Sequence, residues 1–175
     1  SMGGYQTYEW LMMYPDFATH FVSIEGTPWH TFFDRIKGRA WQEVLALPED
    51  SPESIQRKAH LLALIDGIVF WTPEYLNRER SLEQFDEWLA GMARFDNASA
   101  IADRASQHAS TAQHDIRRGR PDFETRLEAM GRPSVLAVVF ERDMTVNPEP
   151  SKAFARQLGF EAVSYTHLRA HETET

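Results

Sequence analysis

The residue most able to do chemistry is Ser1, which is followed by Met2 and by two glycines, Gly3 and Gly4. A serine at a tight strand-to-helix turn, followed by small residues that let the turn and the helix pack closely, is typical of a catalytic nucleophile. The alternative is that Ser1 and Met2 are a remnant of tag removal. We predict that Ser1 is the nucleophile, and we expect the strand that precedes such a serine to lie outside this sequence.

The second candidate is Asp143, which follows the apolar and β-branched run from Ser134 to Phe140. That run predicts a buried parallel strand. A carboxylate at the C-terminal edge of a sheet strand is placed to hold a catalytic imidazole in one tautomer. We therefore predict Asp143 as the orienting acid, with Glu141 as the second choice. The alternative is that Asp143 is the aspartate of a solvated loop.

The elements that must position these residues alternate between helices and strands. They are predicted as a helix over 3–14, a strand over 20–25, a strand over 134–140, a helix over 149–158 capped by Gly159, and the start of a strand at 160–162. Most of 29–130 has helical patterns, with helix starts at Ser51, Thr72 and Ser81. This order predicts an α/β fold with a helical insertion of about a hundred residues, and a connection of that length is usually a lid or cap.

Composition limits the class of protein. The chain has 175 residues, of which 42% are hydrophobic and 12% aromatic, as in an ordinary globular domain. Its net charge of −8 argues against a nucleic-acid partner, and it has no cysteine for disulfide or zinc–thiolate chemistry. The longest apolar run, 61–71, contains Asp66 and is too short to span a membrane. We predict a cytoplasmic protein with no nucleic-acid and no membrane partner.

The motif at 1–10, Ser-Met-Gly-Gly-x-Gln-x-x-Glu-Trp, and the Tyr-Pro-Asp at 14–16 resemble the homoserine O-acetyltransferase family of the α/β-hydrolases. The resemblance implies the C-terminal part of an α/β-hydrolase fold, with few parallel strands and a large helical cap insertion. It also implies that Ser1 takes an acyl group and that the backbone N–H of Met2 is half of the oxyanion hole. In the family's pattern the acid is followed closely by a proline and a helix, as Asp143 is followed by Pro148.

The family's chain order requires a catalytic histidine after Asp143. Only His167 and His171 follow it, and both lie in a segment, 163–175, that resembles a translated sequencing adaptor. We exclude this segment from fold reasoning as a non-native tail. We therefore expect the catalytic histidine to lie outside this chain, and the chain itself to be an inactive fragment.

The segment 94–120 resembles the family's return from the cap to the sheet. It contains an Arg-Phe-Asp run at 94–96, then His114-Asp115 and an arginine-rich run at 117–120. A metal site formed by His108, His114 and Asp115 is an alternative, but three scattered ligands are a weak pattern. We predict no metal site and expect structural or active-site-wall residues, with the arginine-rich run as a solvated loop.

The cap differs from the family's pattern at the substrate pocket. The positions where the resemblance implies an arginine and a tyrosine, which grip the substrate carboxylate, fall on Ala63 and Phe70. An unpaired carboxylate taken from water costs several kcal/mol. We therefore predict an apolar pocket that includes Ala63, Phe70 and Trp71. The alternative is that these residues are simply the core of the cap.

Together these patterns predict a serine-dependent enzyme that hydrolyses a small-molecule ester or thioester through an acyl-serine intermediate, without a cofactor. One alternative is a homoserine O-acetyltransferase, for which acetyl-CoA would be a co-substrate. Another is a non-catalytic fragment or interaction module. The parent protein could also form a homodimer. The predicted organisation is a partial hydrolase core at 1–28 and 131–162, a cap and return segment at 29–130, and the tail.

Overall fold

The computed structural model describes residues 1–94, 98–130 and 133–165. The chain divides into two compact units, one formed by Ser1–Thr31 and His114–Thr175 and the other by Phe32–Gln113. The described elements, in chain order, are α1 (Met2–Met13), β1 (His20–Ile24), α2 (Phe32–Leu45), α3 (Pro52–Val69), α4 (Pro73–Glu79), a short 3-10 helix (Leu82–Gln84), α5 (Phe85–Ala93), α6 (Ala98–Thr111), α7 (Phe123–Ala129), β2 (Ser134–Phe140), α8 (Glu149–Leu158) and β3 (Glu161–Tyr165).

The first unit, called the sheet unit below, contains three parallel strands in the order β1-β2-β3. Phe21 is paired with Val135, and Val138 with Val163, so the strands run in step toward one C-terminal edge. The three predicted strands are confirmed. The third strand continues to Tyr165, so it includes 163–165, which the sequence patterns assigned to the tail. His167 and His171 lie outside the described residues.

One face of this sheet carries the core of the unit. Helices α1, α7 and α8 supply buried side chains that pack with those of β1 and β2, and these residues are Tyr8, Leu11, Met12, Phe21, Ile116, Phe123, Leu127, Val135 and Phe154. On the opposite face Val22 and Ile24 are about half exposed, at 50% and 55%. The expectation that β2 is buried throughout holds for alternate residues only, because its even-numbered positions are only partly covered.

Residues 114–130, which we grouped with the cap on sequence patterns, lie with the sheet unit in this division. The reason is apolar burial: Ile116, Phe123 and Leu127 belong to the core below β1 and β2. Helix α8 ends as predicted at Gly159, whose φ of 70° is the left-handed conformation that glycine adopts without a steric penalty.

The second unit, called the helical unit below, contains α2 to α6. Two of its helices begin as predicted, since the Ser51 hydroxyl accepts the N–H of Ser54 and the Thr72 hydroxyl accepts that of Tyr75. Helix α3 packs against α2 and α5, and α2 also packs against α6. The core of the unit consists of Trp41, Leu62, Val69 and Ile101. None of the helices in the described part of the chain is long and apolar enough to cross a membrane.

Candidate functional site

Ser1 lies immediately before the first residue of α1 and is exposed. The helix starts against the loop that follows β1, because Gly4 packs directly on Gly26. The hydroxyl of Ser23 donates a hydrogen bond to the carbonyl oxygen of Gly4, at 3.2 Å. Met2 is the first residue of α1, where backbone N–H groups have no acceptor within the helix. This is the geometry that an oxyanion donor needs, and its role stays a prediction.

Asp143 lies in the turn after β2 and is partly buried. Its Oδ1 accepts the backbone N–H groups of Thr145 and Val146, at 2.7 and 2.9 Å. These two bonds orient the carboxylate, because they tie one oxygen to the backbone of its own turn. Its hydrogen bonds to the described residues all use Oδ1, so Oδ2 is available to accept an imidazole N–H.

Glu141, the second choice for the acid, is engaged elsewhere. Its Oε2 lies 2.6 Å from Nζ of Lys152, and its Oε1 accepts a hydrogen bond from the hydroxyl of Ser164. Both contacts stabilise the charged form, so they lower the pKa of Glu141 below its usual value, the lysine contact contributing most. Both oxygens of Glu141 are therefore engaged, and the choice of Asp143 as the acid stays a prediction.

Sequence patterns did not point to Glu25, a third charged group beside these residues. It directly follows β1, donates its N–H to the carbonyl oxygen of Val138, and then turns with a φ of 51°. Such a φ is uncommon for a residue with a side chain, and strained residues of this kind cluster at functional sites. The rule that identified Asp143, an acid just after a strand, would also have identified Glu25.

Electrostatics connects Glu25 with both predicted site residues. Burial raises the pKa of Glu25, the negative charge of Asp143 raises it further, and the amino group of Ser1 acts in the opposite direction. The chain positions agree with these effects, because Gly4 packs on Gly26 just after β1 and Asp143 lies in the turn after β2. The C-terminal edge of the sheet therefore brings together the predicted nucleophile, the predicted acid and a second carboxylate.

His114 is a structural residue of the sheet unit. Its Nε2 lies 2.7 Å from the carbonyl oxygen of Thr27, so this nitrogen carries the hydrogen, and its ring stacks on Tyr5 at 4.9 Å. The ring is 7% exposed, and burial lowers its pKa. The hydrogen bond to Thr27 connects the start of the return segment to the loop after β1, in agreement with the structural role that we expected.

The arginine-rich run is an exposed turn at 117–119, as we expected, but two of its arginines are paired. Arg117 forms two hydrogen bonds to the carboxylate of Asp115 and lies 4.4 Å from the centre of the Trp29 ring. Arg120 donates to Glu9 of α1 at 2.8 Å and to the carbonyl oxygen of Ile116. These two arginines join the return segment to its own unit. Of the Arg-Phe-Asp run, residues 95–97 lie outside the described residues.

The residues of the predicted pocket lie in the helical unit. Ala63 is in α3 and is 1% exposed, so it belongs to the packed interior. Phe70 directly follows α3, with 46% of its surface exposed, and its ring packs 6.0 Å from that of Trp71. Trp71 in turn packs edge-to-face on Trp88 of α5 at 5.7 Å. The structure thus brings the two aromatic residues together, and their contact with a substrate stays a prediction.

The residues weighed for a metal site lie in different units. His108 belongs to α6, where its ring packs against Trp41 at 4.6 Å, and His114 and Asp115 belong to the sheet unit. Among the described residues there is no group of three or more His, Asp or Glu side chains that could hold a metal ion.

Solved structures with the same fold are esterases, acyltransferases and other hydrolases. The chain matches an acetylester hydrolase from Corynebacterium glutamicum with a TM-score of 0.73 and 20% identity, over 94% of this chain and 51% of that one. It matches a homoserine O-acetyltransferase from Staphylococcus aureus with a TM-score of 0.72 and 12% identity, over 97% and 50%. An α/β hydrolase from a Medee basin deep-sea metagenome library, MGS-M2, gives 0.65 and 17%, over 94% and 54%.

These matches show the fold. The chain has the α/β-hydrolase fold over about half the length of the solved structures that it matches. The predicted fold class, a partial α/β-hydrolase fold with few parallel strands and many helices, is confirmed. No protein-family model matches the sequence, and a search of curated proteins finds no match.

Proposed function

We propose that the protein to which this chain belongs is a serine-dependent acyl-transfer enzyme that hydrolyses a small ester or thioester. The observation that carries this proposal is that the start of α1, next to Ser1, packs on the loop after β1, and that Asp143 lies in the turn after β2, at the same edge of a parallel sheet. In α/β-hydrolase folds the nucleophile and the orienting acid occur in this chain order. The fold shared with esterases and acyltransferases also supports the proposal.

In the proposed reaction, Oγ of Ser1 attacks the carbonyl carbon of the substrate and its proton passes to an imidazole. The N–H of Met2 donates to the oxyanion that forms. The bond from carbon to the leaving oxygen or sulfur then breaks, and the leaving group takes the proton from the imidazole. Water attacks the acyl-serine in the same way, which releases the acid and restores Ser1. Oδ2 of Asp143 accepts the other N–H of the imidazole.

We propose that this imidazole comes from outside the chain. The histidines before Asp143 have the wrong chain order, and the most buried of them, His114, already uses Nε2 on the carbonyl oxygen of Thr27. His167 and His171 follow Asp143 but belong to the adaptor-like segment. The chain of 175 residues would then lack turnover by itself.

Hydrolysis is favoured over transfer to homoserine because of the helical unit. The family resemblance implies an arginine and a tyrosine that bind the substrate carboxylate. At those positions this chain has Ala63 and Phe70. The alternative, homoserine O-acetyltransferase with acetyl-CoA as co-substrate, is supported by the motif at 1–10 and by the match in fold.

The experiment compares the whole protein with the 175-residue chain, using p-nitrophenyl acetate and, separately, acetyl-CoA with homoserine. We expect ester hydrolysis by the whole protein, its loss in Ser1→Ala and its retention in the control Ser106→Ala, an exposed serine of α6. If the whole protein acetylates homoserine instead, the proposed hydrolase is wrong and the alternative, a homoserine O-acetyltransferase, takes its place. Turnover by the chain alone that is lost in Ser1→Ala and in His171→Ala would show that the tail supplies the base.

A further inference from the structure

We infer that a groove in the helical unit binds a small organic anion that carries a flat apolar group. The groove has a volume of about 690 Å³ and follows one face of α5, where Glu87 and Gly91, and likewise Trp88 and Met92, lie four residues apart. Arg80 lies at one end of this stretch of chain and Arg94 at the other. None of the predicted catalytic residues lines the groove, so the inference is independent of the proposed reaction.

The two arginines carry charge that no residue in the described part of the chain neutralises. Neither guanidinium has an ion pair or a hydrogen bond to any residue in the described part of the chain. The nearby Arg78 is different, because its Nε lies 2.6 Å from Glu79 and its guanidinium lies 5.8 Å from the centre of the Tyr75 ring. Glu87 is the one acid among the described residues that line the groove, so these residues have a net charge of +1, from two arginines and one glutamate.

A guanidinium presents several N–H donors in one plane and binds carboxylate or phosphate oxygens in pairs. Two such groups around one groove therefore favour an anionic ligand over a neutral one. Carboxylate and phosphate share this chemistry, so a carboxylic acid and a phosphate ester are the two forms that the ligand can take.

The lining of the groove includes the indole of Trp88, which packs against other residues of the helical unit. Trp88 packs edge-to-face against Trp71, and a β-carbon on Gly67 of α3 would lie 2.9 Å from its Cη2. The absence of a β-carbon at Gly67 thus leaves room for the ring, and these neighbours restrict its orientation. A rigid aromatic surface loses little conformational entropy when a ligand packs on it. This favours a ligand with an aromatic or acyl group next to its charge.

Calorimetric titration of the full chain tests the inference with three probes that share one ring system: 2-naphthoate, 2-naphthyl phosphate and the neutral 2-naphthalenemethanol. We expect at least one anion to bind about tenfold more tightly than the alcohol, and added salt to weaken the binding of the anion but not of the alcohol. Preference for naphthoate identifies a carboxylic acid as the ligand class, and preference for naphthyl phosphate identifies a phosphate ester.

Four variants locate the binding. We expect Arg80→Gln and Arg94→Gln each to weaken anion binding about three- to tenfold, and the matched control Arg78→Gln to leave it unchanged. Gly91 lines the groove and a β-carbon there meets nothing within 4 Å, so Gly91→Leu should block the groove while the helix remains intact. Circular dichroism checks the fold of each variant. Three results would overturn the inference. The alcohol could bind as tightly as the anions, or neither anion could bind. Anion binding could also be unchanged in Arg80→Gln, Arg94→Gln and Gly91→Leu.

Discussion

A β-carbon on Gly4 would lie 2.6 Å from the α-carbon of Gly26, closer than any real contact of this kind. The first turn of α1 therefore crosses the loop after β1 with backbone against backbone. Ser1 lies three residues before this crossing. The contact between two glycines thus decides where the predicted nucleophile lies relative to the edge of the sheet.

Replacement of Gly4 by alanine should destabilise the sheet unit by about 2 kcal/mol or more, because the added methyl meets backbone atoms that cannot rotate away. Gly3→Ala is the matched control in the same helix, since a β-carbon there meets nothing within 4 Å. We expect it to be neutral or stabilising by about 0.5 kcal/mol. Urea unfolding of the two variants measures the difference, and equal stability would contradict the close crossing.

The charge of Asp143 should affect the pKa of Glu25. Asp143→Asn removes the negative charge that raises the pKa of Glu25, so this pKa should fall toward its usual value. The asparagine oxygen still accepts the N–H groups of Thr145 and Val146, whereas Asp143→Ala loses them and should cost about 1 kcal/mol. Carboxyl titration by NMR measures the first effect, and an unchanged pKa of Glu25 in Asp143→Asn would show that the two groups do not interact.

The buried carboxylate of Asp66 should contribute more to the stability of the helical unit than an exposed carboxylate does. Its Oδ1 accepts hydrogen bonds from Nε1 of Trp41 and from Arg104, at 3.0 and 2.9 Å. Asp66→Ala leaves both donors without this acceptor and should destabilise the helical unit by about 2–3 kcal/mol. Glu43→Gln, which breaks an exposed pair with Arg39, should cost about 0.5 kcal/mol or less. Thermal unfolding compares the two, and a similar small effect of both would contradict a structural role for Asp66.

The imidazole of His108 should remain uncharged at pH values well below 7. Burial, together with the positive charges of Arg104 and Lys37, lowers its pKa to about 4. The unfolded chain, with a histidine pKa of about 6.5, binds more protons between these two values. The stability that His108 contributes is therefore fully present above about pH 6.5 and is lost as the pH falls toward 4.

Replacement of His108 by glutamine tests this, because glutamine does not titrate. We expect the unfolding free energy of His108→Gln to decline less between pH 6.5 and pH 4 than that of the original chain. NMR titration of the His108 ring supplies a direct value. A decline of the same size in both proteins would show that His108 is not the group responsible.

Local signals were sufficient for most of the elements. The β-branched run at 134–140, the Ser-Pro start of α3 and the glycine that ends α8 each act on their own few residues, so they could be recognised without the rest of the fold. The division into units was harder. Residues 114–130 have the same helical patterns as the cap, and only the burial of Ile116 and Phe123 against the sheet shows where they pack.

The site shows the same division between local and distant signals. Asp143 was predicted because it follows a strongly apolar strand. Glu25 was missed because the predicted strand, 20–25, included it, whereas β1 ends at Ile24. The pairing of Arg117 with Asp115, and of Arg120 with Glu9 in α1, was likewise missed, since an arginine-rich run looks the same in sequence whether it is solvated or paired.

The sequence by itself determined the order of helices and strands, the identity of Ser1 and Asp143 as candidates, and the resemblance that implied the fold. These depend on residue types at short spacing along the chain. The tertiary structure decided which distant residues meet: Gly4 with Gly26, and Glu25 with Val138. It also decided that Arg80 and Arg94 face one groove without a partner in the described chain. Such contacts depend on packing between elements far apart in sequence, which no local pattern encodes.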